Sequence, residues 1–168
     1  MSSQINHLKK ILFVITQSEM GGAQRFLVEL LPRLDPEKYQ ISIAAGASRN
    51  YESGIKNYEF LDTLEKSGFK VKRLKYLERE NNLFKDLAAL FEIKKLIKWW
   101  RPDVLFLNSS KAGFLGSLAS RFIIHNSKFK VIYRIGGWTF NDPWPWWKKR
   151  FWVILEKISA HWKDLIIV

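Results

Sequence analysis

The chain switches repeatedly between short unbroken apolar runs and longer stretches in which apolar residues recur every three or four positions. Ile11–Ile15 is a run of the first kind, five apolar residues in succession, the pattern of a strand covered on both faces. After Thr16–Met20 and a glycine pair, Gly21 and Gly22, the residues Ala23, Phe26, Leu27, Leu30, Leu31 and Leu34 recur at helical spacing. Pro32 falls in the last turn of that helix and predicts a kink. Tyr39–Gly46 predicts a second strand, and Ala47–Lys56 a polar loop. Phe60, Leu61 and Leu64 mark a short helix stopped by Gly68. Phe69, Val71 and Leu74 mark a third strand, polar enough to lie at a sheet edge.

The second half repeats the rhythm. Asn81 or Asn82 offers an N-cap to a long helix marked by Leu83, Leu87, Leu90, Ile93 and Ile97, which Arg101-Pro102 ends. Val104–Leu107 is a fourth strand, followed by Asn108–Lys111 and a helix through Leu115, Leu118, Ala119 and Phe122. Gly113 and Gly116 are small enough to let that helix lie close to a sheet. Val131–Ile135 is a fifth strand, with Gly136, Gly137 and Trp138 after it. An aromatic, proline-broken loop, Thr139–Pro145, leads to a last helix expected to bury Trp147, Phe151, Ile154, Leu155, Ile158 and Trp162. Leu165–Val168 reads as a sixth, buried strand. Such a strand normally continues to a covering element, so the expectation is one domain, residues 1–168, of a longer protein.

Strands alternating with helices predict an α/β fold: a doubly wound, mostly parallel Rossmann-like sheet with helices on both faces. In the strand order 3-2-1-4-5-6 the topological switch lies between the first and fourth strands, and ligands bind beyond the strands' carboxyl ends there. The loops that emerge at that end are Thr16–Gly22, Asn108–Lys111 and Gly136–Trp138. They hold both glycine pairs, a Ser-Ser-Lys and a tryptophan, and their convergence predicts a ligand cleft. The first glycine pair has two readings, a tight turn or the close approach of backbone to an anion at a helix start.

Composition narrows the chemistry. A hydrophobic fraction of 47% over 168 residues supplies a real core and excludes disorder. With no cysteine there is no disulfide framework, thiolate nucleophile or cysteine metal site. Met1–Lys10 has no signal-peptide core, and no apolar run approaches the ~18 residues that would cross a bilayer. Lys and Arg total 28 against 16 acids, a formal net charge of +12, a field that attracts nucleic acid, anionic lipid or phosphorylated ligands without choosing among them. No G-x-G-x-x-G, Walker-type loop or G-x-S-x-G elbow occurs, which argues against a nicotinamide oxidoreductase, a nucleoside triphosphatase and a serine hydrolase. His7, His125 and His161 show no metal spacing and fall outside the three loops.

Four segments match a known family. They are Glu19-Met20-Gly21-Gly22-Ala23-Gln24-Arg25, Arg101-Pro102-Asp103-Val104-Leu105, Ser109–Gly116 and Gly137-Trp138-Thr139-Phe140, with Trp162–Val168 as a weaker fifth. In this order the chain resembles the N-terminal domain of family 4 retaining glycosyltransferases of GT-B fold. The resemblance implies two facing Rossmann-like domains, of which this chain is the acceptor-side one. The C-terminal donor-binding domain lies outside it. It further implies transfer of a sugar from a nucleotide-sugar donor to a cell-surface polysaccharide or lipid-linked acceptor, without a bound metal or other cofactor. By that resemblance Gly21, Gly22 and Arg25 form the donor-phosphate loop. Asn108, Ser109, Ser110, Lys111, Gly136, Gly137 and Trp138 fall on the acceptor side. The family often has His where this chain has Gly136 and Asn108; the first of these usually contacts the transferring sugar. No catalytic residue is therefore assigned, and this chain alone is expected to be inactive.

The segment Trp144–Trp152 mixes aromatics with cations, which fits either interfacial membrane contact or helix packing. Trp147 belongs to the apolar stripe. Trp152 falls on the Lys149, Glu156 and Lys163 side of the wheel, where a soluble helix has little use for it. Trp146, Lys148, Lys149, Arg150 and Trp152 are the candidate membrane contacts, on a cytoplasmic protein peripheral to the inner face of the plasma membrane. A second reading is a non-catalytic α/β module that binds an anionic polymer or nucleic acid through its basic face. Scattered basic residues and the lack of a recognised motif argue against nucleic acid.

Overall fold

The computed structural model describes residues 8–49, 56–123, 129–137 and 143–168. The apolar run at the start forms strand β1 (Lys9–Ile15), and helix α1 (Gly22–Leu30) follows the glycine pair. The kink expected at Pro32 is a change of helix type: α1 ends at Leu30 and Leu31–Arg33 closes as a 3-10 turn. Pro32 lacks the N–H an α-helix would need there. Strand β2 (Tyr39–Gly46) comes next. Two short strands follow within the expected polar loop, β3 (Ser48–Arg49) and β4 (Lys56–Asn57), paired antiparallel. Helix α2 (Glu59–Lys66) ends before Gly68, whose φ of +87° is the left-handed conformation a helix stop uses.

Strand β5 (Lys70–Leu74) then leads to helix α3 (Leu83–Trp100). The Asn82 side chain caps α3, accepting from the Lys85 N–H at 3.1 Å. Strand β6 (Val104–Leu107), helix α4 (Ser110–Arg121), strand β7 (Lys130–Arg134), helix α5 (Trp146–Ala160) and strand β8 (Leu165–Ile167) complete the chain.

Six strands form one sheet in the order β5-β2-β1-β6-β7-β8. Every neighbouring pair is parallel. In chain order this is the expected 3-2-1-4-5-6, with β1 and β6 flanking the switch. Each face of the sheet carries a core. Phe13, Ile43, Leu27 and Phe60 pack with α1 and α2, and Leu12, Leu105, Ile93 and Leu115 pack with α3 and α4. The two glycines of α4 do what their size suggested. A side chain at Gly113 would meet the Tyr133 ring, and one at Gly116 would meet the Leu107 side chain.

Three expectations about the core need correction. The first turns of α3 do not bury their stripe: Leu83 is 81% exposed and Leu87 more than half exposed. Strand β8 is the sheet edge, with Leu165 and Ile167 exposed, because nothing among the described residues pairs beyond it. Helix α5 is rotated from the expected face, and of its expected stripe only Leu155 and Trp162 are partly buried. Trp147, Phe151, Ile154 and Ile158, expected inside, are exposed, while Ser159 is buried and Lys163 keeps no exposed side-chain surface. Trp152, expected outside, is partly buried, and its indole nitrogen is shut off from solvent.

The reason lies in the sheet beneath α5. Tyr133 is wholly buried, and its hydroxyl donates to Glu156 Oε1 at 3.3 Å. Lys163 lies 4.0 Å over the Tyr133 ring and bonds Ser159 Oγ at 2.8 Å and Glu156 Oε2 at 3.3 Å. A buried tyrosine hydroxyl needs a partner, and the polar face of α5 supplies it.

Candidate functional site

At the carboxyl ends of β1 and β6 the first two loops are clasped together. Thr16 N donates to Ser109 Oγ at 3.0 Å, and the two hydroxyls lie 2.7 Å apart. Thr16 Oγ1 also accepts from the Ala112 N–H at 3.3 Å, so a residue of one loop caps the helix that follows the other. Asn108 is buried, donating to the Ala23 carbonyl at 2.9 Å and accepting from Arg134 at 3.3 Å. The Arg134 guanidinium lies 3.9 Å over the Phe26 ring, which ties β7 to α1 as well.

A cavity of about 980 Å³ opens at this point, lined by Thr16, Gln17, Gly22, Ala23 and Gln24 on one side and Ser109, Ser110 and Lys111 on the other. It continues past Asp86, Leu87 and Leu90 of α3 to Lys148, Phe151, Trp152 and Glu156 of α5. Helix α1 presents its first turn here. Gly21, its N-cap residue, provides no side-chain cap, and no acid stands in that turn. The N–H groups of Gly22, Ala23 and Gln24 thus start a helix whose partial positive end faces the cavity. Gly21 is extended, and among the described residues only Gly68 is a glycine with positive φ. A side chain at Gly22 would meet nothing within 4 Å. The backbone therefore does not require glycine at Gly22; what glycine leaves there is open space.

Sequence reasoning placed seven residues on the acceptor side, and the structure sorts them. Ser109, Ser110 and Lys111 line the cavity, whereas Asn108 is consumed in the clasp. Gly136 and Gly137 are exposed outside the cavity lining, and Trp138 lies outside the described residues. Of the phosphate-loop candidates, Gly22 lines the cavity and Gly21 caps α1, while Arg25 is exposed and outside the lining. Lys111 is not a free cation. It is tied to Asp86 at 2.7 Å and to the Glu80 carbonyl at 2.5 Å. Arg79 and Lys148, also at the cavity, have no carboxylate partner among the described residues; Lys148 rests 3.3 Å over the Trp144 ring. Of the membrane candidates, Lys148 and Trp152 line the cavity, while Trp146 and Arg150 are exposed and Lys149 is partly exposed.

Sequence reading missed Thr16, Gln24, Arg134 and Glu156. The position of Thr16 directly after β1 was a usable signal; Glu156 gave none, since a glutamate on a helix ordinarily faces water. Glu156 sits in a desolvated network. Burial raises the Tyr133 hydroxyl far above its ordinary range, with the Glu156 charge adding to the rise. Burial also lowers Lys163, against the opposing pull of Glu156. His161 bonds the Lys157 carbonyl at the end of α5, well removed from the loops, and His7 and His125 lie outside the described residues. No three metal-binding side chains gather among the described residues, and no described helix is long and apolar enough to cross a membrane.

With this geometry in view, likeness to known proteins is informative. The glycosyl transferase 4-like domain family matches residues 21–168. An uncharacterised 41.2 kDa protein in the cps region of Klebsiella pneumoniae is 37% identical over 83 residues, 48% of this chain and 23% of that protein. Among solved structures, Anabaena HepE in complex with UDP and glucose superposes with a TM-score of 0.64 at 17% identity, covering 95% of this chain and 38% of that one. A Listeria monocytogenes protein assigned as a UDP-N-acetylglucosamine 2-epimerase gives 0.63 at 13% identity, with 95% and 39% covered. At such identities the structures show a shared fold alone. The chain spans about a quarter of the Klebsiella protein's length and about two-fifths of each solved chain.

Proposed function

The chain belongs to the glycosyl transferase 4-like domain family, and on that premise we propose that it is the acceptor-side domain of a retaining glycosyltransferase. Its reaction moves a sugar from a nucleotide-sugar donor to a cell-surface polysaccharide or lipid-linked acceptor. The observation that carries this reading is the convergence, at the switch between β1 and β6, of an uncapped helix start and a hydroxyl-bearing loop on one cavity. The open space before Gly22 lets a donor phosphate approach the first N–H groups of α1. Ser110, on the opposite side of the cavity, is placed to meet an acceptor's hydroxyls. On this reading the transfer proceeds without a bound metal, as the resemblance implies. HepE was solved with UDP and glucose, which supports a nucleotide sugar as the partner class.

The basic run Lys148–Arg150 with the exposed Trp146 suits peripheral contact with an anionic bilayer, on the cytoplasmic side where nucleotide sugars are made available. The decisive experiment is sugar transfer by the full-length protein, given a panel of nucleotide sugars with a lipid-phosphate or oligosaccharide acceptor and read by mass spectrometry and NMR. A glycosidic product with the donor's anomeric configuration is expected. Epimerised or hydrolysed donor with no glycosidic product would overturn the proposal.

A further inference from the structure

The strand ends have a second side, outside the cavity lining. Arg134 is the last residue of β7, and its guanidinium lies on the face of the sheet that α1 covers. Two neutral groups fix it there. Its central carbon is 3.9 Å from the centroid of the Phe26 ring, and one N–H donates to Asn108 Oδ1 at 3.3 Å. Asn108 in turn donates to the Ala23 carbonyl at 2.9 Å, so the guanidinium is one side chain removed from the first turn of α1. Lys38, Arg73, Lys85, Lys111 and Lys130 each have a carboxylate partner, whereas Arg134 has none among the described residues. Its outward side is open. A side chain begun at the exposed Gly136 would find Arg134 Nη1 at 3.7 Å and nothing else within 4 Å. A planar cation with five donors is thus held still without being neutralised. It stands at the carboxyl end of a strand next to β6, the end at which parallel sheets bind their ligands.

We propose that Arg134 is the residue of this domain that holds the diphosphate of the nucleotide-sugar donor, at the rim between α1 and β7. A guanidinium suits that anion because two of its N–H groups can bond two phosphate oxygens at once. Being oriented already by Phe26 and Asn108, it loses little side-chain freedom on binding. The inference rests on the sugar-transfer reading for the identity of the anion as a donor's diphosphate; the fixed and unneutralised charge does not depend on that reading.

The test is calorimetry on the full-length protein with UDP, GDP and ADP, each beside its nucleoside. For the diphosphate that binds most tightly, Arg134→Gln is expected to weaken binding about 10- to 100-fold, the loss of a charge-assisted hydrogen bond, and to leave the nucleoside unchanged. Its diphosphate binding should also depend less steeply on salt than that of the unaltered protein, a change that a merely structural role would not produce. Arg134→Lys, which keeps the charge without the fork, should fall between the two. Gly136→Val keeps the guanidinium and sets a branched side chain on its open side; Gly136 has no positive φ, so this variant should fold normally and weaken the diphosphate alone. Lys157→Gln, which removes an exposed charge near the end of α5, should change nothing.

Equal losses of diphosphate and nucleoside in Arg134→Gln would make this residue a structural tie and overturn the inference, and so would no binding of any of the three diphosphates. Should Arg134→Gln not fold, Gly136→Val decides, and undiminished diphosphate affinity in it overturns the inference. If both variants bind diphosphate and transfer sugar as the unaltered protein does, the inference fails while the transfer reading stands. Arg134-dependent diphosphate binding without transfer from any nucleotide sugar leaves the site in place and removes the transfer reading.

Discussion

Gly22→Ala separates what the fold needs from what the site needs. Gly22 is the first residue of α1, its φ is not positive, and an added methyl group meets nothing within 4 Å. Replacing glycine by alanine where the backbone already suits alanine stabilises by about 0.4–1 kcal/mol, chiefly by restricting the unfolded chain. For a domain of this size each kcal/mol moves the melting temperature by about 2–4 °C, so a rise of about 1–4 °C is expected. The same methyl group occupies the space through which a donor phosphate would reach the N–H groups of α1. A lengthened contact there should lower kcat/KM of the full-length enzyme about 10- to 100-fold, or roughly 1.4–2.8 kcal/mol of transition-state binding. Gly116→Ala provides the opposite sign for stability, because its methyl group would strike the Leu107 side chain; overpacking costs about 1–3 kcal/mol and outweighs about 1 kcal/mol of helix propensity. Calorimetric melting and initial-rate kinetics read both. A stabilised Gly22→Ala enzyme with wild-type kcat/KM would refute the phosphate approach, and a destabilised one would refute the open space.

Three further outcomes are expected. Asn108→Ala removes the bonds to the Ala23 carbonyl and from Arg134 and should cost about 1–3 kcal/mol in urea unfolding; an unchanged midpoint would mean the clasp contributes nothing. Glu156→Gln leaves the buried Lys163 charge without its counter-ion and should cost about 3 kcal/mol. Because burial holds folded Lys163 below its usual 10.5, the unfolded chain binds the proton more tightly, so stability should rise as pH climbs through the window between the lowered pKa and 10.5. That rise should be steeper and start at lower pH in Glu156→Gln, and a flat difference profile below pH 10 would contradict the assignment. Co-sedimentation with anionic vesicles should fall as salt rises and fall again when Lys148, Lys149 and Arg150 are all replaced by Gln; equal recovery on neutral vesicles would remove the electrostatic contact.

Chain patterning made the scaffold legible because each signal was local. The short apolar runs at Ile11–Ile15 and Val104–Leu107 read by their length as strands covered on both faces, and Gly68 and Asn82 punctuate their helices through their own backbone or side chain. The strand order expected is the common doubly wound one, and the sheet has it. The site was legible only as a set of loops. That Ser109 grips Thr16, and that Asn108 is spent on the Ala23 carbonyl, depends on atoms 93 and 85 residues apart in the chain. No spacing rule reaches across such distances.

Helix α5 marks the boundary between the two kinds of information. The sequence by itself determined that residues 146–160 are helical and that one side carries Trp147, Phe151, Ile154 and Ile158. Which side faces inward was decided by the tertiary structure, through the buried Tyr133, whose hydroxyl bonds Glu156 and whose ring lies under Lys163. Periodicity measures how apolar one face is. It cannot weigh that burial against a hydrogen-bonding demand placed by another strand, and here the polar demand turned the helix and left its apolar stripe exposed beside the cavity.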